Sequence, residues 1–234
     1  MQRMLFAVIL SLFLMVCMTS PTWAGGDDDA DAGAYALDAG DYDEAIRLFT
    51  KAIESGDLHP VTLYAVYNFR GKAWDHKGDY DRAISDFTKA IESGPSISIA
   101  YYNRGNVWGR KGDYDKAIAD YTKAIEFSPK YADAYYSRAL AWGMKRDYAQ
   151  AIADYTRVIE LDPKNAKAYY FRGAFWGTKG DYDKAIADYT KAIELDPKYA
   201  KAYSKRAAAW DKKGHHNKAK ADYAKAKEID PSIR

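Results

Sequence analysis

The chain has 234 residues, 35 basic and 33 acidic side chains and a net charge of +2, so neither a strongly basic nucleic-acid binder nor an acidic disordered tail is indicated overall. One cysteine, Cys17, excludes a disulfide framework and Cys-based metal sites. The same phrase recurs at Gly40, Gly78, Gly112, Arg146, Gly180 and Gly214, the last five copies 34 residues apart, which marks stacked supersecondary units and directs the search for function to a surface.

In chain order, residues 1–24 read as a secretion signal: Arg3, an apolar run from Leu5 to Met18, then Thr22-Trp23-Ala24 as the peptidase site. Cleavage after Ala24 is expected, giving an exported, periplasmic or secreted chain; an uncleaved membrane anchor is the alternative. Lipidation at Cys17 is disfavoured, because Val16 stands where a small residue is required. Asp27 to Ala39 forms an acidic first helix and Asp43 to Glu54 its partner, and a four-residue insertion around Leu58 to Val61 follows, either a hinge or a longer loop.

The next units each read as two antiparallel helices of about 13 residues, about 20 Å long. In the unit from Ser98, Tyr101, Gly105 and Trp108 recur on the first helix and Ala117, Tyr121 and Ala124 on the second, with Gly112 to Asp115 as the break. Pro95, Pro129, Pro163, Pro197 and Pro231 follow the second helices, which proline cannot continue. In the last unit Lys220 and Lys227 replace isoleucines of the interior units, the solvated face expected of a capping repeat and of a complete array.

Tyr101, Gly105, Trp108, Ala117, Tyr121, Ala124 and Pro129 match in order and spacing the signature of the tetratricopeptide repeat, and the match recurs from Tyr67, Tyr135, Tyr169 and Tyr203. The chain therefore resembles that family. The resemblance implies an all-α, right-handed solenoid of antiparallel helix pairs whose concave face is lined by first helices and binds proteins rather than performing catalysis. The units are then 25–63 (partial, acidic), 64–97, 98–131, 132–165, 166–199 and 200–234 (capping).

The chain departs from that signature at an arginine before the first-helix glycine: Arg70, Arg104, Arg138, Arg172 and Arg206. A buried arginine needs a partner. Each second helix offers one in register: Asp86, Asp120, Asp154, Asp188 and Asp222. The first unit has Ala32 and Leu48 at these two places, so both members are missing together, which favours pairing within a unit. A track of arginines for anionic ligands is the alternative.

The resemblance places Tyr102, Tyr136 and Tyr170 on the groove, with Asn106 and Leu140 a turn later and Asn68 and Lys72 in the preceding unit, then Gly109, Gly143 and Gly177. The tyrosines are expected to form a lane for an extended peptide, or for sugar rings. Each glycine costs a helix about 1 kcal/mol relative to alanine, explained either by room for a ligand or by helix packing. The family's carboxylate clamp is not intact: Asn103 matches its asparagine, but Asn68, Asp133 and Ser137 stand at sites that should be basic.

No catalytic grouping and no cofactor or metal site is read: His59 and His76 stand alone, and the adjacent His215 and His216 are a weak metal signal. Lys201, Lys205, Lys212, Lys213, Lys218, Lys225 and their neighbours make the last unit basic, at about +6, against about −8 over 25–63. Export argues against nucleic acid, leaving an anionic surface or acidic partner. The leading expectation is a non-enzymatic scaffold for a protein or extended peptide; head-to-tail self-assembly through the charged terminal repeats is the runner-up.

Overall fold

A computed structural model describes residues 25–94 and 97–233; the expected signal segment, 1–24, lies outside them. The described residues form twelve α-helices and no strand. The chain divides into two compact units, Met1–Pro95 and Ser96–Arg234. The first contains α1 (Gly26–Asp38), α2 (Tyr42–Ser55), α3 (Pro60–His76) and α4 (Tyr80–Ser93). The second contains α5 (Ile97–Arg110), α6 (Tyr114–Phe127), α7 (Ala132–Met144), α8 (Tyr148–Leu161), α9 (Ala166–Thr178), α10 (Tyr182–Leu195), α11 (Ala200–Lys212) and α12 (His216–Ile229). No described helix is long and apolar enough to cross a membrane.

The recurring phrase is the turn inside each helix pair. Its glycine ends the first helix in the left-handed region, with φ of +81° at Gly112 and +84° at Gly180. Its aspartate then caps the second helix: Asp41, Asp79, Asp113, Asp147 and Asp181 each accept a hydrogen bond from the backbone N–H three residues on. Each such cap contributes about 1 kcal/mol. Arg146 makes the same turn at φ 63° with a Cβ in place, a strain of about 1 kcal/mol.

The insertion after α2 falls partly in the connecting loop and partly in α3. Gly56 ends α2 at φ 73°, the His59 side chain accepts from the Val61 N–H, and Pro60 opens α3 at its first turn, where proline is tolerated. Part of the inserted sequence therefore lengthens α3, which runs for 17 residues where α7, α9 and α11 have 13.

Within each unit, a second helix packs both on its own first helix and on the first helix of the next repeat. In the first unit Ala45, Phe49, Ala52, Val66 and Ala73 form the buried centre, with Ile46 and Ile53 against it. Small residues set the close approach of paired helices: a Cβ at Gly105 would lie 2.8 Å from the Tyr121 ring, and one at Gly71 2.9 Å from Phe87.

The five arginines and five aspartates are joined within their own repeats. Each guanidinium forks onto one carboxylate, as where Arg138 Nε donates to Asp154 Oδ2 and Nη2 to Oδ1, both at 2.8 Å. The same two bonds, at 2.7–2.8 Å, join Arg70 to Asp86, Arg104 to Asp120, Arg172 to Asp188 and Arg206 to Asp222. The aspartates are buried, and each guanidinium also lies over the ring of the tyrosine three residues earlier, at 5.4–5.7 Å. These bonds hold the Arg172 and Arg206 guanidinium groups above the ordinary arginine value.

Sequence reasoning missed a third bond. The remaining Nη1 of Arg70, Arg138, Arg172 and Arg206 donates to Thr50, Thr122, Thr156 and Thr190 on the preceding repeat, at 2.9–3.1 Å. The Thr122 and Thr156 hydroxyls in turn donate to the backbone carbonyls of Ile118 and Ile152. Each of these arginines thus pins its own helix pair and clips it to the one before.

Candidate functional site

In the second unit, α5 and α7 border an open cleft of about 420 Å³. Tyr102, Asn106, Gly109 and Arg110 line it from α5, Ser137, Leu140, Ala141 and Met144 from α7, and Tyr114 and Tyr121 of α6 close its back. Leu140 is 38% exposed and Met144 63%, so the α7 wall offers apolar surface to solvent. The α5 wall is polar. Asn106 accepts a 2.8 Å hydrogen bond from the Tyr121 hydroxyl with its carboxamide oxygen, which leaves the carboxamide nitrogen as the donor. Burial, then Tyr102, pushes the Tyr121 hydroxyl well above its ordinary pKa, with Ser137 and Arg110 opposing, so it stays a neutral donor.

Three of the residues expected on the groove, Tyr102, Asn106 and Leu140, meet in this cleft. The three tyrosines are half-buried and packed on other rings of the chain. Tyr102 lies 4.9 Å from Tyr131 and 5.9 Å from Tyr121, and Tyr170 lies 4.9 Å from Tyr199 and 5.9 Å from Tyr189. Tyr136 meets Tyr155 and Phe171 edge-on, and burial pushes its hydroxyl up to about 12.

Asn68 and Lys72 stand on α3 in the first unit and take no part in this cleft. Asn68 is 6% exposed, too buried for the open groove position expected of it. Lys72 is half-buried, and burial lowers its ammonium pKa while Asp38 opposes the shift.

The three glycines have different reasons. A Cβ at Gly143 would lie 2.4 Å from Phe175, so helix packing alone demands glycine there. At Gly109 and Gly177 an added Cβ would meet nothing closer than 3.7 Å, and Gly109 opens onto the cleft. The paired histidines are engaged separately, His215 edge-on to Trp210 and His216 hydrogen-bonded to Asp211.

Paired helices that stack on their neighbours, clipped at fixed register and carrying an open cleft on their first helices, define a repeat scaffold for macromolecular interaction. The tetratricopeptide repeat models match residues 31–96, 98–131, 132–165, 166–199 and 200–233. The chain belongs to the tetratricopeptide repeat family. Among solved structures it is similar to MamA at 30% identity over 69% of this chain and 94% of that one, with a TM-score of 0.66. It is similar also to YrrB, described as a TPR protein with an unusual peptide-binding site, at 26% identity over 79% and 93%, with a TM-score of 0.67. A tetratricopeptide repeat protein from Parabacteroides merdae shares the fold at 22% identity over 87% and 79%, with a TM-score of 0.73. A search of curated proteins returns no match.

Proposed function

We propose that the protein is an exported, non-catalytic scaffold that takes an extended peptide segment of a partner protein across the cleft between α5 and α7. The observation that carries this reading is the pairing of apolar Leu140 and Met144 on one wall with Asn106 and Arg110 on the other. Such a cleft buries one apolar side chain of a peptide while the polar wall meets its backbone carbonyls or a carboxylate. The peptide-binding site in YrrB's description supports the same use of this fold.

A peptide selected from a displayed random library on the wild-type protein is expected to bind Leu140→Glu at least about tenfold more weakly, or about 1.4 kcal/mol. The substitution places a charge where the cleft offers apolar surface, at a position 38% exposed, so the fold persists. Unchanged affinity, read by fluorescence anisotropy, overturns this placement of the site.

Export rests on the residues of 1–24: Arg3, the apolar run and Ala24. N-terminal sequencing of the protein from its own cells is expected to start at Gly25. A chain that still starts at Met1 refutes cleavage.

A further inference from the structure

Inside the chain, successive repeats are joined at two places that can be counted from the turn. A second helix presents an isoleucine six residues after the turn glycine and another thirteen after it, Ile118 and Ile125 on α6. Ile118 packs with Ala141 of the next first helix, and Ile125 with Ala134. Ile193 of α10 meets Ala202 of α11 in the same way. The receiving positions lie five and twelve residues before the next turn.

On α12, which no described helix follows, the two presenting positions are Lys220 and Lys227, both exposed. On α1, the first described helix, the two receiving positions are Tyr35 and Asp28, also exposed, Tyr35 to 68%. Asp31 and Asp38 flank Tyr35 on the same face at helical spacing, and both are exposed. No basic side chain stands on α1. Partial desolvation pushes the Asp31 carboxyl above the usual carboxylate range, and repulsion from Asp27 and Asp28 adds to it, the part that facing cations would relieve.

We propose that a second copy of the chain docks here, α12 of one molecule against α1 of another, in the register that joins successive repeats within each molecule. Lys227 then faces Asp28, and Lys220 lies over the Tyr35 ring between Asp31 and Asp38. Where interior joints use isoleucine against alanine, this one uses cations against an aromatic ring and carboxylates. It is consequently reversible by salt, as the interior joints are not. It is independent of the α5–α7 cleft.

Sedimentation velocity of the mature chain, from Gly25, tests it. The wild type is expected to grow with concentration at about 0.02 M salt and to fall to single copies at about 0.5 M, where the Debye length shrinks to a few ångströms. Lys227→Glu and Asp28→Lys are each expected to stay single at low salt, because like charges then meet. Their equimolar mixture is expected to grow again, since each variant's head suits only the other's tail. Both positions are exposed, so unchanged thermal unfolding confirms the fold, and Leu140→Glu is expected to assemble like wild type. A wild type that stays single at low salt, charge-reversed variants that still assemble, or a mixture that stays single overturns the proposal.

Discussion

Asp188→Ala is expected to destabilise the protein by about 3–5 kcal/mol, the cost of stranding a buried guanidinium. The Asp188 side chain is 8% exposed and accepts two bonds from Arg172, whose own side chain is 19% exposed. Without the carboxylate, Arg172 keeps only its bond to Thr156 and the ring of Tyr169. Neither neutralises its charge. The paired replacement Arg172→Leu with Asp188→Leu is expected to fall within about 2 kcal/mol of wild type, because apolar side chains fill the space without leaving a charge. Urea unfolding followed by far-ultraviolet circular dichroism reads both. A single variant within about 1 kcal/mol of wild type contradicts the account, and so does a paired variant that is no better than the single one.

Tyr155 is expected to give opposite results for two substitutions. It is fully buried, stacked 5.7 Å from Phe171 and 6.0 Å from Phe175, and its hydroxyl has no hydrogen-bond partner among the described residues. Tyr155→Ala empties a ring-sized site and is expected to lose about 3–5 kcal/mol. Tyr155→Phe removes only the unsatisfied hydroxyl, and is expected to leave stability unchanged or to raise it by up to about 1 kcal/mol.

The reason lies one repeat away. Tyr121 occupies the equivalent place and donates to Asn106, whereas the equivalent of Asn106 beside Tyr155 is Leu140. Tyr121→Phe is therefore expected to cost about 1 kcal/mol, and Leu140→Asn to make Tyr155→Phe costly in turn. A loss above about 1 kcal/mol for Tyr155→Phe alone refutes the orphaned hydroxyl.

The parts of this fold that were legible in the sequence are those set within one repeat. Glycine then aspartate at Gly40, Gly78, Gly112 and Gly180 specifies a left-handed helix end and an N-cap, so turns and helix pairs follow from residues a few places apart. The spacing of Arg138 from Asp154 likewise spans one pair, and the joint absence at Ala32 and Leu48 pointed to the partner. What was not legible depends on the next repeat. Phe171 covers Tyr136 from the following repeat, and Phe175, also of that repeat, explains Gly143. Thr156 carries no sequence signal of its bond, because a threonine at a half-buried helix position has no distinctive spacing. Its role became visible only when Arg172 reached it.

Because Arg70, Arg104, Arg138, Arg172 and Arg206 each fork onto an aspartate of their own repeat, and the third bond of Arg70, Arg138, Arg172 and Arg206 asks only for a threonine at a fixed place in whichever repeat comes before, the array is indifferent to how many copies it holds. Unequal recombination that drops or duplicates a whole 34-residue block, such as 132–165, would leave no buried charge without its counter-ion. A deletion out of phase by one residue would strand them. The arginine thus acts as a reading-frame check on protein length: the scaffold can gain or lose reach across generations only in whole steps.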